Sequence, residues 1–147
     1  MNVNIDTYEF VSNLKELIDD GHEVSVPVAG WSMAPFLRHK RDQVLLKKPM
    51  AALKVDDIVF YQRRTGQYVL HRIYKIKSDG YYMMGDHQIN IEGPIEADAV
   101  FAVVTEVERN RHWISTKAFS WRLISFMWRM FYPVRKLAYM ARKAVCK

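Results

Sequence analysis

Short runs rich in β-branched and aromatic residues recur between residues 23 and 108, and turn residues separate them. Runs of this length with turns between them are typical of antiparallel β structure. The pattern predicts a mainly β protein of the α+β class with an antiparallel, barrel-like core. The predicted strands cover residues 23–28, 42–46, 57–62, 67–76, 81–84 and 97–106.

Helical periodicity is confined to the two ends of the chain. Apolar residues from Phe10 to Ile18 recur at three- and four-residue spacing, and Asp20-Gly21 should end that helix. We therefore divide the chain into an N-terminal helix (residues 1–22), a β-rich domain (23–114) and a basic, aromatic, amphipathic C-terminal helical segment (115–147).

Composition limits what the chain can be. With 147 residues, half of them hydrophobic, it can build one core. The lone Cys146 excludes an intramolecular disulfide. The first 20 residues carry five acidic side chains and no basic start followed by an apolar run, so we expect neither a signal peptide nor a membrane anchor there.

One serine lies in a turn that would hold it rigid and exposed. Ser32 follows Gly30 and precedes Pro35, just after the strand predicted over residues 23–28. Glycine permits a sharp turn, and proline stiffens the chain beyond it. Ser32 is therefore a candidate nucleophile, although the same pattern is typical of ordinary turns.

A serine acts as a nucleophile when a base takes its proton, and the base usually needs a third group to orient it. His71 and Asp86 supply these two residue types downstream. His71 falls inside a predicted strand, which would hold its ring firmly. An imidazole with an ordinary pKa of about 6.5 is largely neutral at pH 7 and can accept the serine proton, while Asp86 could hold its tautomer.

These residues belong to an ordered series of short motifs. The series is Ser32-Met33-x-Pro35, Asp42-Gln43-Val44, Asp57-Ile58-Val59, His71-Arg72 and Gly85-Asp86. Over roughly residues 24–108 it resembles the type I signal peptidase and self-cleaving repressor superfamily of serine proteases. A histidine in place of the bacterial lysine base is similar to the archaeal and endoplasmic-reticulum signal peptidases. The resemblance implies a serine endopeptidase that forms an acyl-enzyme and needs no metal or cofactor.

The resemblance also implies an oxyanion site at the backbone N–H of Ser32. Some members add a serine hydroxyl two residues before the nucleophile, but this chain has Gly30 there. The family's Gly-Asp pairs are replaced by Arg41-Asp42 and Asp56-Asp57. Apolar neighbours of the nucleophile would favour a substrate with small or apolar side chains near the cut. The residues of this expected pocket are Trp31, Met33 and Phe36.

Two assignments around the base stay open. Glu92, at the position of a second acidic residue in the family, is the alternative to Asp86 as the group that orients His71. Lys75 shares a strand face with His71, two alternate positions further along, and is a weaker rival base.

Positive charge is concentrated near the C-terminus. Residues 109–147 contain ten Lys and Arg and no acid, whereas residues 1–108 contain 12 against 16. A dense apolar face with a basic stripe is typical of a helix at a membrane interface, and we expect Pro133 to break it. The expected contacts with an anionic membrane surface are Trp121, Arg122, Trp128, Arg129 and Lys136. The alternative is that the aromatic residues pack on the β core.

The sequence thus predicts a protease that cleaves a leader or signal-type peptide, in the cytoplasm or attached peripherally to a membrane. A nucleic-acid partner is not expected, because the β core is acidic and has no recognisable binding motif. One alternative is a catalytically silent protein of the same fold that docks on membranes or binds peptides. Another is a self-cleaving regulator, which would need a DNA-binding segment where only about thirty residues precede Ser32.

Overall fold

A computed structural model describes residues 7–146 and has one antiparallel sheet of eight strands, flanked by helices from both ends of the chain. The first six residues of the predicted N-terminal segment, and Lys147, lie outside the described range. The elements are α1 (Thr7–Asp19), β1 (Val24–Pro27), β2 (Gln43–Lys47), β3 (Ile58–Gln62), β4 (Tyr68–Lys77), β5 (Gly80–Met84), β6 (Glu92–Ile95), β7 (Val100–Arg109), β8 (His112–Ser115), α2 (Phe119–Met130) and α3 (Tyr132–Val145).

The sheet is an open ladder. Its strand order is β1-β2-β7-β3-β4-β5-β6, and β8 pairs with β7 off this path. All pairs are antiparallel, and within residues 7–146 no pairing joins β1 to β6. The predicted antiparallel α+β architecture is confirmed, whereas barrel-like closure is not.

Two apolar clusters cover the two faces of β3. Ile58 belongs to the larger cluster, which includes α1, β2, β7 and the turn after Ser32, while Val59 and Tyr61 belong to the smaller one. Successive side chains on a strand project to opposite faces, so one strand can serve both clusters. His71 pairs with Val59 across the β3–β4 ladder and therefore lies on the face of the smaller cluster.

Two short strands carry weak signals in the sequence. β6 contains Gly93-Pro94, which weakens a strand pattern and suits its position at the edge of the sheet. β8 follows a two-residue turn in which Asn110 and Arg111 both have positive φ, 52° and 64°. Glycine usually occupies such a turn, so the sequence Asn110-Arg111 does not predict a hairpin.

The C-terminal segment forms two helices rather than one broken helix. Pro133 lies in the first turn of α3, where a missing backbone N–H costs no hydrogen bond. The helical segment does break next to Pro133, as expected, and this proline then begins the second helix. Within residues 7–146, neither of these helices nor α1 is long and apolar enough to cross a membrane.

The aromatic residues of α2 face the protein. Trp121 is only 8% exposed and packs edge-on against the Phe36 ring at 5.7 Å, and the Trp128 ring lies 5.8 Å from Phe36. Two cations on the same helix pair with acids of the protein: Arg122 with Asp57 at 3.8 Å, and Arg129 with Asp56 at 2.9 Å.

Trp121 and Trp128 therefore pack on the core, as the alternative expected, and not on a membrane. Arg122 and Arg129, which were expected to contact the membrane, pair with acids of the protein. Of the expected contacts, Lys136 is exposed. The membrane contacts were assigned to the wrong side of the helix because α2 is apolar on both sides, and periodicity alone does not show which side packs on the sheet.

Replacing Trp121 by alanine should destabilise the protein strongly, because a large buried ring leaves a cavity at the junction of α2 and the core. We expect Trp121→Ala to lower the free energy of unfolding by about 3–5 kcal/mol in urea denaturation. Phe119→Ala, on the same helix but at an 81% exposed position, should change it by no more than about 0.5 kcal/mol. Equal effects of the two substitutions would contradict the docking of α2 described here.

Candidate active site

Ser32 and His71 line the same cavity, which has a volume of about 250 Å³. One wall is formed by residues 28–30, Ser32 and Met33, after the end of β1, and the opposite wall by residues 68–71 of β4. Arg63, Gln67 and Gln88 complete the lining. The fold thus brings the predicted nucleophile and the predicted base to one space.

The turn that carries Ser32 is held from both sides. Gly30 has a φ of +84°, in the left-handed region that favours glycine, and Met33 beyond the turn is buried in the larger core. The N–H of His87 donates to the Ser32 carbonyl at 2.9 Å. A Cβ on Gly85 would lie 2.5 Å from that carbonyl oxygen, so only glycine allows this close approach.

The reactive atoms of Ser32 are not engaged by the protein. Among residues 7–146, neither its hydroxyl nor its backbone N–H has a hydrogen-bonding partner. The side chain is half-buried. An available N–H at this position is what stabilisation of an oxyanion by the main chain requires.

The hydrogen bonds of His71 determine which ring nitrogen carries the proton. Nδ1 lies 3.2 Å from the Tyr61 hydroxyl, and that hydroxyl donates to the Glu92 carboxylate at 3.2 Å. Tyrosine has one hydroxyl proton, and a carboxylate only accepts, so Tyr61 must accept from the Nδ1–H of His71. The lone pair of His71 is then on Nε2, the nitrogen that can act as a base.

Burial keeps this imidazole neutral. Desolvation lowers the pKa of His71 to about 4, with a further decrease from the positive charge of Arg63 and a partly opposing increase from Glu92. Burial and the charge of Glu92 raise the pKa of Tyr61 above its ordinary value, so its hydroxyl stays protonated. Arg63 contacts Glu92 at 2.8 Å, and this pair fixes the carboxylate beside Tyr61.

Asp86 has a different partner from the one predicted. Its two carboxylate oxygens accept hydrogen bonds of 2.8 Å from Nε and Nη2 of Arg72, and both side chains are buried. Arg72 follows His71 on β4, so the two side chains project to opposite faces of the strand. The assignment of Asp86 as the direct orienter of His71 is therefore wrong. Glu92 is the acid that reaches His71, through Tyr61.

The expected substrate pocket and the rival base are also revised. Phe36 is buried against Trp121 and Trp128 and stacks under the Arg72 guanidinium at 4.7 Å, while Trp31 is 62% exposed and lies outside the cavity. Of the three predicted pocket residues, Met33 alone lines it. Lys75 is exposed beyond the buried part of β4 and does not line the cavity.

The aspartates of the other two motifs support loops. Asp42 is buried, accepts the Arg38 N–H at 3.0 Å and pairs with Arg41 at 2.7 Å. Asp57 accepts the Lys54 N–H at 2.8 Å. Asp56 has a φ of +77°, a conformation that glycine adopts most easily.

Sequence reasoning missed Tyr61 and Arg63. The contact between Tyr61 and His71 could have been predicted from the hairpin between residues 57–62 and 67–76. When Val59 pairs with His71 in this hairpin, Tyr61 lies diagonally across from His71. The register depends on the length of the loop after Gln62, which residue types alone did not determine. Within residues 7–146 no group of three or more His, Cys, Asp or Glu side chains is arranged to hold a metal ion.

Removing the Asp86 carboxylate should unfold the region around the site, because Arg72 would remain buried without a counter-charge. We expect Asp86→Ala to lower the free energy of unfolding by about 3–5 kcal/mol, and the double variant Arg72→Met with Asp86→Leu to recover most of that loss. Asp98→Ala, at an exposed position, is the matched control and should have an effect below about 0.5 kcal/mol. Wild-type stability of Asp86→Ala would contradict a structural role for the pair.

Comparisons with known protein families, curated proteins and solved structures found no match to this chain. A functional proposal therefore rests on the residues and their geometry.

Proposed function

We propose that this chain is a serine endopeptidase with a signal-peptidase-like site, in which Ser32 is the nucleophile and His71 is the general base. The observation that carries the proposal is the shared cavity. It brings together a serine whose hydroxyl has no partner among residues 7–146 and a histidine held neutral, with its lone pair on Nε2. Acyl-enzyme chemistry requires the nucleophile to meet its base, and the proposal is that Ser32 reaches Nε2 of His71 across this shared cavity.

The proposed reaction has two halves. The Ser32 oxygen attacks the peptide carbonyl carbon while Nε2 of His71 takes the hydroxyl proton, and the resulting oxyanion accepts a hydrogen bond from the Ser32 N–H. The C–N bond then breaks as His71 returns the proton to the leaving amine, which leaves an ester on Ser32. In the second half, water attacks the ester, His71 takes the water proton and gives it to Ser32, and the new carboxylic acid departs.

The polar chain behind His71 suits this cycle. When Nε2 is protonated, the ring carries a positive charge, and its Nδ1–H remains bonded to the Tyr61 oxygen. The Glu92 carboxylate beyond Tyr61 stabilises that charge, whereas Arg63 opposes it. Glu92 and Tyr61 are thus proposed as positioning residues for His71, in the place that an aspartate occupies in a serine protease triad.

An exposed strand edge favours a peptide as the substrate. β5 pairs with β4 from Arg72 onward, and β3 pairs with Tyr68–Arg72 on the other edge. Within residues 7–146, the second edge of residues 69–71 therefore has no strand partner, and the cavity lies along it. An extended peptide could bind there by strand addition, with its backbone next to Ser32.

The reactivity of Ser32 should depend on pH through His71. Because the base must be neutral, the rate of acylation by an uncharged probe should fall as the pH decreases through about 4 and should be constant near pH 7. Arg63→Gln removes a charge that lowers the pKa of His71, so the midpoint should move upward. Arg64→Gln is the matched control, since Arg64 pairs with the exposed Glu96. A wild-type midpoint at 6.5 or above would contradict the buried, neutral base.

Active-site labelling tests the function itself. A serine-reactive acylating probe should modify wild-type protein at Ser32, as determined by intact mass and peptide mapping. Ser32→Ala should abolish this modification, and His71→Ala should slow it by at least about 100-fold, because general-base assistance is lost. Digestion of an unstructured peptide library by wild type, but not by Ser32→Ala, would identify the cleavage sites.

Ser25→Ala provides the control for unspecific labelling, because Ser25 is exposed on β1 and its hydroxyl bonds to Gln43. It should label at the wild-type rate. Labelling that persists in Ser32→Ala, or the failure of several probe classes to label folded wild-type protein, would contradict the protease proposal. The peptide-binding alternative would then gain support.

A further inference from the structure

The side of α2 that points away from the sheet is mainly apolar. Trp121, Ser125 and Trp128 mark the side that packs on the protein. Residues on the opposite side are exposed, and the polar residue among them, Ser120, lies at the margin of this side. The four nearest its centre are Phe119, Leu123, Phe126 and Met130, with exposures from 44% to 81%. A surface helix of a soluble domain normally has the reverse pattern, with polar residues outward.

α3 repeats this arrangement. Tyr132 and Arg135 attach it to the protein, through hydrogen bonds of 2.8 Å to the carbonyl oxygens of Ile89 and Asp86. Its exposed apolar residues recur at helical spacing on the side away from these contacts. They include Val134, Leu137 and Met140, each more than half exposed. We call the outward apolar residues of α2 and α3 the apolar tail face.

Cations accompany the apolar tail face, and acids do not. Three of the cations in this part of the chain are used internally, because Arg122 and Arg129 pair with aspartates and Arg135 bonds to a main-chain carbonyl. Lys117, Lys136, Arg142 and Lys143 are exposed, and none of them forms a salt bridge with residues 7–146. Since residues 109–147 contain no Asp or Glu, the surface around the face is positively charged.

We propose that the apolar tail face binds the surface of an anionic lipid bilayer. Large apolar side chains with Lys and Arg beside them match the interfacial region of such a bilayer, where acyl chains lie below negatively charged headgroups. A second copy of the chain fits less well, because a two-fold contact through this face would bring two cationic segments together without a tail acid to compensate. The proposal does not depend on the protease activity.

The tail helices also contact the loop that bonds to the Ser32 turn. Trp128 Nε1 and Arg135 both donate hydrogen bonds to the Asp86 carbonyl, at 3.0 and 2.8 Å. The next residue of this loop, His87, donates its N–H to the Ser32 carbonyl, so the tail helices hold the loop that contacts the serine. Because these contacts come from the inward sides of the helices, the apolar tail face stays available for lipid without disturbing them.

Vesicle flotation of the full chain tests the proposal. The protein should float with vesicles of phosphatidylcholine mixed with phosphatidylglycerol and much less with phosphatidylcholine alone. The double variant Met130→Gln with Leu137→Gln should reduce partitioning by at least about 10-fold, because two side chains that enter the bilayer become polar. Lys136→Gln with Lys143→Gln should reduce binding to the anionic vesicles by about 10-fold or more.

Met50→Gln with Ile91→Gln is the matched control, since both residues are exposed and lie outside the tail helices. It should partition as wild type does, and unfolding curves of all variants should remain close to wild type. Absence of wild-type flotation, or equal flotation of the tail and control variants, would overturn the proposal. A dimer in sedimentation equilibrium that dissociates in Met130→Gln with Leu137→Gln, combined with no flotation, would assign the face to a second copy instead.

Discussion

The buried pair of Arg72 and Asp86 connects every part of the candidate site. Arg72 extends from β4 to the Asp86 carboxylate, the Asp56 carbonyl and the Phe36 ring, and the Asp86 carbonyl accepts hydrogen bonds from α2 and α3. Removing two charges from water is costly, and only good geometry with further hydrogen bonds offsets the cost. Both charges here have that support. The strand of His71, the loop that bonds to Ser32 and the C-terminal helices are therefore held in one arrangement.

Strand alternation gives the two nearby carboxylates separate tasks. His71 and Arg72 are neighbours in the chain but lie on opposite faces of β4, so Asp86 is confined to the Arg72 side. Glu92, from edge strand β6, reaches the other face through Tyr61. One acid thus stabilises the structure, and the other adjusts the charge near the imidazole. A serine, a histidine and an acid are all present, as in a serine protease triad. The acid that reaches the histidine is Glu92, through Tyr61, and not the predicted Asp86.

The C-terminal helices have two different surfaces, an inward one that packs on the protein and an outward apolar one. Their inward sides contain arginines, the buried Ser125 and two tryptophans that pack on the core. The Ser125 hydroxyl has no hydrogen-bonding partner among residues 7–146. Their outward sides are apolar. Exposed apolar patches of this kind mark interaction sites, because leaving them in water is unfavourable. The division explains how a tail can be an integral part of the domain and still offer a surface to a partner.

Local pattern determined much of this protein. Short runs rich in β-branched and aromatic residues located six strands, Gly21 ended α1, Gly30 and Pro35 marked the turn of Ser32, and His71 fell inside a strand, because each depends on neighbouring residues in the chain. The sequence left undecided what depends on distant contacts. Tyr61 meets His71 only through the β3–β4 register, Asp86 meets Arg72 only after β5 pairs with β4, and the inward side of α2 is chosen by packing against Phe36. Residue types specify which interactions are possible, and the tertiary structure selects among them because burial and hydrogen bonding can be satisfied in only one arrangement at a time.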